Sequence, residues 1–220
     1  PLNFNLAMDR IVKGDPPEIM EAVDFLVVGS GLAGLSFALT AAERGEVLLL
    51  AKRELEDGNT SYAQGGIAAA LGEGDDPERH AADTLACGGG ICHPDAVDLI
   101  VHGAPNAIRD LAALGVPFER DAAGQFELGR EGGHSERRIV HAHDATGRAI
   151  MQGVLEKVRR HPRIRVYTHH IAVDLILERK LRQETSGGRC LGAYVHDVKT
   201  REIIPFVART TVLATGVSGK

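Results

Sequence analysis

The stretch from 129 to 148, GREGGHSERRIVHAHDATGR, is the densest group of chemically capable side chains in the 220-residue sequence. It holds four arginines, three histidines and three acids, arranged around the glycine pair Gly132 and Gly133. Imidazoles and carboxylates could transfer protons, bind a metal or recognise a charged substrate, and arginines could bind carboxylates. Which of these uses applies depends on the elements that position the stretch.

The three histidines of this stretch are the first test of a metal site. His141 and His143 form His-x-His, which places two imidazoles on one side of a strand, and His134 precedes them by seven residues. No further ligand stands at a spacing typical of zinc sites. The sequence therefore predicts no metal.

A second chemically informative group is the glycine motif formed by Gly29, Gly31 and Gly34. It follows an apolar run, DFLVVGSG, and precedes helical apolar spacing that Gly45 ends. In G-x-G-x-x-G the first glycine allows a tight turn, the second lets the backbone approach a pyrophosphate, and the third lets helix and strand pack closely. The motif indicates a dinucleotide-binding loop, although an ordinary glycine-rich turn would read similarly.

The elements around that loop predict a β-α-β unit. EVLLLAK, 46 to 52, reads as a second buried strand, parallel to the first. Helical patterns follow at 78 to 87, 94 to 114 and 147 to 160, and then come the β-like runs IRVYTHH, IAVDLILER, CLGAYVHDV, EIIPFVA and TTVLAT. We expect TTVLATG to be a third parallel strand that ends beside a ligand. The predicted fold is α/β and Rossmann-like with a small antiparallel β-meander; residues 1–23 form an N-terminal extension, and 24–220 one domain.

Composition narrows the class of partner. With 44% hydrophobic and 25% charged residues the sequence is typical of a soluble globular protein, and its net charge of -5 argues against nucleic acid. No apolar run is long enough to span a membrane, and residues 1–22 do not resemble a secretory signal. We expect a cytoplasmic protein with a small-molecule partner. Reduced thiols are predicted for the three cysteines, Cys87, Cys92 and Cys190.

The end of the second strand bears on which dinucleotide is bound. An acid there usually binds the adenosine ribose, but this sequence has Ala51 and Lys52. The absence of an acid counts against an ordinary NAD dehydrogenase, and also against the commonest FAD pattern.

A more specific signal is NTSYAQGGIAAAL, 59 to 71, taken with GSGLAG, LLLAK, REGGH, DATGR and LATG. In the order in which they occur along the chain, with GSGLAG and LLLAK before residue 59, these motifs resemble the succinate dehydrogenase and fumarate reductase flavoprotein superfamily, and within it the members that oxidise L-aspartate. The resemblance runs from about Asp24 to Gly216. It implies an FAD-binding domain of the fumarate reductase and glutathione reductase type, incomplete without capping and C-terminal helical domains.

The resemblance also implies where FAD is bound. The pyrophosphate is assigned to Gly29, Ser30, Gly31, Leu32, Ala33 and Gly34, and the adenosine ribose to Lys52. The flavin is assigned to Asn59, Thr60, Ser61, Tyr62, Ala63, Gln64, Gly65 and Gly66. The adenine is assigned to Ala172 and Val173, and Ala214, Thr215 and Gly216 close on the cofactor. Membrane-bound relatives carry FAD on a histidine at the Asn59 position, so FAD here is expected to be non-covalent. Val217 replaces a glycine usual in the family.

Glu131 departs from the dicarboxylate reductases of the superfamily, which have an aromatic residue just before the glycine pair. A carboxylate is costly beside a purely anionic substrate and favourable beside an ammonium group. Glu131 is therefore expected to recognise the α-amino group of L-aspartate. Arg130, Arg137 and Arg138 either anchor loops and raise the local positive potential, or are solvated loop charges. In DATGR, Asp144, Thr146 and Gly147 either shape the flavin site or cap a helix, and we favour the cap.

The activity implied by the resemblance is FAD-dependent oxidation of L-aspartate to iminoaspartate, with O2 or fumarate reoxidising the flavin. This is the first step of NAD biosynthesis, which feeds quinolinate synthase. Relatives place their proton-handling arginine in segments that these 220 residues do not include, so we expect the isolated chain to be inactive. The alternatives are a succinate dehydrogenase or fumarate reductase flavoprotein, disfavoured by Asn59 and Glu131, and a non-catalytic FAD-binding module. An NAD dehydrogenase ranks last.

Overall fold

The computed structural model describes residues 21–142, 145–183 and 185–216. The chain divides into two compact units, one formed by Pro1–Gly58 with Leu155–Lys220 and the other by Asn59–Val154. Most of the predicted N-terminal extension lies outside the described residues, as do His143, Asp144 and Val217. The first strand begins at Glu21, inside the segment assigned to the extension.

The first unit is built on one six-stranded sheet. Its elements are β1 (Glu21–Val28), α1 (Leu32–Ala42), β2 (Val47–Leu50), β6 (Ile164–Tyr167), β7 (His170–Leu177), α6 (Glu178–Leu181), β8 (Cys190–Asp197) and β9 (Ile203–Leu213). The strand order is β6-β2-β1-β9-β8-β7. The first four strands in this order are parallel, and β8 and β7 continue the sheet in antiparallel pairing. The predicted parallel sheet and antiparallel meander are both present, joined in one sheet.

The apolar runs form the interior of this sheet. All four residues of β2 are buried, as expected for a parallel strand covered on both faces. On one face, side chains from β1, β2, β8 and β9 form a cluster that includes Leu26, Leu48 and Phe206. Helix α1 buries Gly34, Leu35 and the alanines of its last turns, which gives the predicted β-α-β unit.

Strand β9 differs from the sequence-based prediction, which divided it into EIIPFVA and TTVLAT. It is one strand of 11 residues that pairs antiparallel with β8 through Ile203–Val207 and parallel with β1 through Phe206–Leu213. Arg209 interrupts the apolar pattern, but its side chain is 61% exposed and its Nε lies 3.4 Å from Asp24 Oδ1. A polar residue that reaches solvent is compatible with a continuous strand, so the predicted division was wrong.

The second unit combines helices with a small antiparallel sheet. Its elements are α2 (Asn59–Tyr62), β3 (Ile67–Ala68), α3 (Pro77–Cys87), α4 (Pro94–Ala113), β4 (Leu128–Gly129), β5 (Ile139–Val140) and most of α5 (Thr146–Arg160). The strand order is β3-β5-β4. Helix α3 begins with Pro77 after Asp76, whose carboxylate accepts a hydrogen bond from Arg79 N. The three predicted longer helices are confirmed to within a residue at each end.

Two further findings concern the membrane and disulfide questions raised by the composition. None of the described helices combines the length and the hydropathy that a bilayer-spanning segment requires. Cys87, Cys92 and Cys190 are free thiols, as predicted.

Candidate functional site

In the first unit the glycine motif connects β1 to α1. Gly29 has a φ of 117°, and its amide donates a hydrogen bond to Leu50 O at 2.9 Å. A Cβ at Gly29 would overlap the Ala214 carbonyl oxygen, and a Cβ at Gly34 would overlap the Gly29 carbonyl oxygen. Backbone therefore packs directly on backbone at both positions, which only glycine permits.

Gly31 occupies a different environment from its two neighbours in the motif. It is the N-cap of α1 with a φ of −72°, and a Cβ there would meet no described heavy atom within 4 Å. As glycine it has no side chain to cap the first turn, so the N–H groups of that turn remain available to another acceptor. The open space and the free helix N-terminus suit a phosphate group. The geometry therefore fits the roles predicted for the three glycines.

The other residues assigned to the adenosine half of FAD lie at or near the carboxyl ends of adjacent strands. Exposed Lys52 follows β2, and Ala214 follows β9, where its amide donates to Val28 O at 2.8 Å. Thr215 and Gly216 continue from there, and Gly216 has a φ of 73°. The structure brings these residues together with the glycine loop, as expected for a ligand site of an open α/β sheet.

Ala172 and Val173 lie farther along the sheet, in β7. The amide of His170, at the start of β7, donates to Ala51 O at 3.0 Å, which joins this strand to the end of β2. Ala172 packs against the apolar cluster, whereas Val173 is 53% exposed at an irregularity in the pairing of β7 with β8. Of the pair, only Val173 presents a largely open side chain to a ligand.

In the second unit the segment assigned to the flavin, Asn59–Gly66, makes close backbone contacts at its own Gly66 and at Gly147 of α5. A Cβ at Gly66 would overlap Ile139 and lie 2.6 Å from Val140 O, whereas a Cβ at Gly65 would meet no described atom within 4 Å. A Cβ at Gly147 would overlap the Thr60 carbonyl oxygen. The segment is thus shaped by β5 and by the start of α5.

Thr146 and Gly147 support this packing. The Gly147 amide donates to Ala63 O at 3.0 Å, and the buried Thr146 hydroxyl accepts a hydrogen bond from Ala142 N at 3.1 Å. The Thr146 hydroxyl therefore stabilises the loop before α5. Within the described residues it does not accept from the free N–H groups of the first helical turn, as a capping side chain would. Asp144, the other residue of the cap that we favoured, lies outside the described residues.

Glu131 lies in the loop between β4 and β5, in the same unit. Its side chain is 51% exposed, and its Oε1 is 3.9 Å from Nε2 of His141. Gly133 has a φ of 86°, the His134 amide donates to Glu131 O at 3.3 Å, and Arg130 Nε donates to His134 O at 2.9 Å. The loop thus folds back on itself and leaves a half-open carboxylate beside an imidazole. This carboxylate is available to a cationic ligand.

Arg138 anchors this region. Its side chain is fully buried and donates to both oxygens of Asp75, from Nε at 2.9 Å and from Nη2 at 2.7 Å. Its Nη1 donates to Asp83 Oδ2 at 2.6 Å. The interpretation of Arg138 as a solvated loop charge was therefore wrong. Exposed Arg137 donates to Leu128 O at 3.2 Å.

Sequence reasoning missed Asp83, which accepts hydrogen bonds from two further donors. The amide and the hydroxyl of Ser135 donate to Asp83 Oδ2 at 2.7 and 2.8 Å. These two bonds, followed by the contact with Arg138, lower the pKa of Asp83 to about 2 against the opposing effect of desolvation. Asp83 is therefore ionised at any physiological pH. An acid on the inward face of a helix was the only sequence signal available.

His134 lies against His80 of α3, with ring centroids 5.7 Å apart. Nδ1 of each ring is buried without a hydrogen-bond partner among the described residues. Burial lowers the pKa of His80, and the charges of Arg138 and His134 lower it further. No cluster of three potential metal ligands occurs in ranges 21–142, 145–183 and 185–216, and His143 lies outside them.

The lowered pKa of His80 predicts that acid destabilises this protein. Because the unfolded state has the higher histidine pKa, near 6.5, it binds the proton first, so stability is fully present above that pH and is lost as pH falls through the lowered pKa. His80→Leu should reduce the loss of unfolding free energy between pH 7 and pH 5, measured by urea titration with circular dichroism. The charged and titratable groups facing His80 are Arg138, His134, Asp75 and Asp83.

His102→Gln is the matched control for this prediction. His102 is an exposed histidine whose pKa is raised, first by its hydrogen bond with the Asp98 backbone, so its contribution to the pH dependence has the opposite sign. The acid-induced loss should persist in His102→Gln. An equal loss in wild type and His80→Leu would contradict the assignment.

Comparison with known proteins agrees with this geometry. Residues 24–220 match the family model described as an FAD binding domain. The chain is 50% identical over 204 residues to L-aspartate oxidase of Pseudomonas aeruginosa, covering 90% of this chain and 38% of the relative. It is 47% identical over 199 residues to L-aspartate oxidase 1 of Ralstonia nicotianae, covering 90% and 37%. The chain therefore spans less than two fifths of the length of these curated relatives.

A solved structure with the same fold is the FrdA chain of an E. coli quinol fumarate reductase variant. It superposes with a TM-score of 0.83 at 28% identity, covering 91% of this chain and 33% of that chain. The fold of this chain therefore corresponds to about a third of that longer chain.

Proposed function

This chain belongs to the family of FAD binding domains, its cofactor is FAD, and from that premise we propose that it is part of an enzyme that oxidises L-aspartate to iminoaspartate. The substrate assignment depends chiefly on one observation, the half-exposed carboxylate of Glu131 beside the glycine pair. The identity of 50% to an L-aspartate oxidase supports it. The activity is that of the complete polypeptide.

The described residues fit FAD. In the first unit, the open space at Gly31 and the uncapped start of α1 would hold the pyrophosphate, and Lys52 would lie near the adenosine ribose. In the second unit, we propose that Asn59–Gly66 contacts the flavin, since Gly65 leaves room for a flat ring to approach the backbone. When bound, FAD supplies the hydride acceptor, and the protein supplies orientation and charge.

Glu131 would bind the substrate ammonium group through a charge-assisted hydrogen bond. The nearby His141 Nε2, at 3.9 Å, can approach the same carboxylate and orient it. A carboxylate at this position repels a substrate that bears only carboxylates, so succinate is disfavoured. We propose that O2 or fumarate is the final electron acceptor. The groups that accept the substrate proton are proposed to lie in segments of the longer enzyme outside these 220 residues.

The physiological setting is a further part of the proposal. An enzyme that makes iminoaspartate would supply quinolinate synthase in NAD biosynthesis, and we propose a cytoplasmic location for it. The acidic balance of the sequence, with a net charge of -5, agrees with an enzyme that acts on small molecules.

A second candidate is a succinate dehydrogenase or fumarate reductase flavoprotein. The TM-score of 0.83 to the fumarate reductase chain favours it. Two residues argue against this second candidate. Asn59 stands where the membrane-bound enzymes carry a flavin-bearing histidine, and Glu131 would repel a substrate that bears only carboxylates.

The visible spectrum of the full-length protein with FAD, under anaerobic conditions, tests the proposal. We expect L-aspartate to bleach the flavin absorbance and succinate to leave it unchanged. Bleaching by succinate alone would favour the second candidate. Bleaching by neither would favour a non-catalytic FAD-binding module.

Asn59 leads to a separate prediction, that the flavin is not covalently attached. An asparagine amide cannot form the histidyl-flavin bond, so acid precipitation of the holoprotein should release all flavin into the supernatant. The measurement is the flavin absorbance of supernatant and pellet after precipitation with trichloroacetic acid. Flavin that stays with the pellet after washing would contradict the prediction.

A further inference from the structure

We propose that Asp83 is a positioning residue, whose carboxylate holds the loop of residues 130–135 so that Glu131 faces the substrate amino group. This inference rests on the proposed function and assigns a role to a residue on a different element from Glu131. Asp83 does not touch substrate or flavin in this proposal. It acts through Glu131.

The loop itself has little to fix it. It contains two adjacent glycines, of which Gly133 has a φ of 86°, and its internal hydrogen bonds are two bonds made by His134 with Glu131 and Arg130. A loop of this kind has many accessible conformations, and a substrate that needs one of them must bear the cost of ordering the rest. An external anchor would remove that cost.

Asp83 supplies the anchor at the end of the loop. Its Oδ2 accepts hydrogen bonds from both the amide and the hydroxyl of Ser135, although the two residues are separated by 52 positions in sequence. Asp83 lies on α3, whose Cys87 also contacts the loop, with Sγ 3.6 Å from Gly133 O. The loop is thus held against a regular helix.

The start of the loop is held by the same ion pair. Arg138, which donates to Asp83, also donates its amide to Gly129 O at 3.0 Å. Gly129 ends β4, two residues before Glu131. Both ends of the 130–135 loop are therefore fixed through Asp83 and Arg138.

Asp75 makes Arg138 a fixed partner for Asp83. Arg138 is fully buried and its Nε and Nη2 are both bound to Asp75, so the guanidinium cannot swing towards another acceptor without losing those bonds. Its remaining Nη1 points at Asp83. The two hydrogen bonds from Ser135, followed by the contact with Arg138, lower the pKa of Asp83 to about 2 and keep its carboxylate ionised. Charge-assisted bonds of this kind are stronger and shorter than neutral ones.

Asp83→Asn in the full-length, FAD-loaded enzyme tests the proposal. Asparagine keeps the shape and removes the charge, so the loop should loosen and Glu131 should be misplaced. We expect the KM for L-aspartate to rise between about ten- and a hundredfold, since small displacements of a recognition group have effects of this order. The value of kcat and the affinity for FAD should change far less.

The matched control is Glu78→Gln on the same helix. Glu78 is 74% exposed, and its Oε1 lies 3.5 Å from Nε2 of His102 on α4. Its removal takes away one negative charge from α3 without touching Ser135 or Arg138. We expect its KM for L-aspartate to equal that of wild type.

A double-mutant cycle separates positioning from general destabilisation. If Asp83 acts through Glu131, then Asp83→Asn should add little to the KM of Glu131→Gln. A full additive effect in the Glu131→Gln background would overturn the proposal. If Asp83→Asn does not fold, Ser135→Ala removes one of the two bonds while leaving the ion pair intact, and a KM equal to wild type in that variant would also overturn it.

Hydrogen–deuterium exchange at the Ser135 amide tests the loop anchor without a measurement of activity. The Ser135 amide should exchange with deuterium faster in Asp83→Asn than in wild type, because its acceptor is weakened.

Normal oxidation of L-aspartate by wild type with an unchanged KM in Asp83→Asn would overturn the positioning role alone. Failure of wild type to oxidise L-aspartate would overturn the proposed function, and the role of Asp83 in it.

Discussion

Gly31→Ala is expected to weaken FAD binding at least tenfold while leaving the apoprotein at least as stable as wild type. The φ of −72° suits alanine, and a Cβ would meet no described atom within 4 Å. The new methyl group would instead occupy the space through which the pyrophosphate approaches the backbone. Removing a glycine also lowers the entropy of the unfolded chain, which stabilises a compatible site by about 0.4 to 1 kcal/mol.

Gly29→Ala and Gly34→Ala are the matched comparisons for this substitution. At both positions the added Cβ overlaps a backbone carbonyl oxygen, that of Ala214 or of Gly29. Gly29 also has a φ of 117°, which side chains other than glycine adopt only with strain. Both variants should lose stability by at least about 1 to 3 kcal/mol, the usual cost of overpacking. They should therefore fail in folding and in FAD binding together.

Two measurements separate these outcomes. Urea unfolding of the apoproteins gives the stability, and quenching of FAD fluorescence on titration gives the affinity. Unaltered FAD binding by a stable Gly31→Ala protein would mean that the pyrophosphate lies elsewhere. Wild-type stability of Gly34→Ala would contradict the close packing of α1 on β1.

Glu131→Gln is expected to lower kcat/KM for L-aspartate about a hundredfold in the full-length enzyme. Glutamine preserves the size of the side chain and one oxygen acceptor, but it removes the negative charge that would attract the ammonium group. Loss of one partner of a buried, hydrogen-bonded charge pair costs about 2 to 5 kcal/mol, and because the Glu131 side chain is 51% exposed we expect an effect at the lower end of that range. Steady-state oxidation of L-aspartate provides the measurement.

Inhibition by succinate provides a second test of Glu131→Gln, with a change in the opposite direction. Removal of the carboxylate should strengthen inhibition by succinate, because a repulsive charge is lost. Glu136→Gln is the control, since Glu136 belongs to the same segment but its carboxylate is already paired, with Arg79 Nη1 3.0 Å from its Oε1. We expect that control to lie within about twofold of wild type, as for other surface pairs. Equal losses in the two variants would refute a specific role for Glu131.

Local patterns were sufficient to predict the elements that position the FAD loop. Each of these elements could be predicted from the hydrophobic pattern of its own residues, without long-range contacts. They are the run DFLVVGSG, the apolar spacing of α1 and the buried strand EVLLLAK. Arg209 shows where this approach fails. A charged residue in an apolar run predicts a break, and only the sheet reveals that its side chain leaves the core towards Asp24.

The candidate site was predictable only in part, for a related reason. Glu131 could be identified because it departs from the residue that relatives carry beside the glycine pair. The partners of Arg138 could not, because Asp75 and Asp83 precede it by 63 and 55 positions and nothing local distinguishes them from surface acids. Burial of the guanidinium is a property of the assembled second unit, so the sequence left open whether Arg138 is an anchor or a solvated charge.

The pairing of β1 with β9 imposes an order on how the protein can fold during synthesis. Val28 lies beside Leu213, and the Gly29 turn is packed against Ala214, so the cofactor loop acquires its final neighbours from the end of the described chain. At synthesis rates of about 5 to 20 residues per second, β1 waits on the order of 10 to 40 s for this partner. During that interval the backbone N–H and C=O groups on one edge of β1 have no strand partner, so this apolar strand can pair with the wrong segment. Nascent chains should therefore depend on chaperones more than the stability of the finished sheet would suggest.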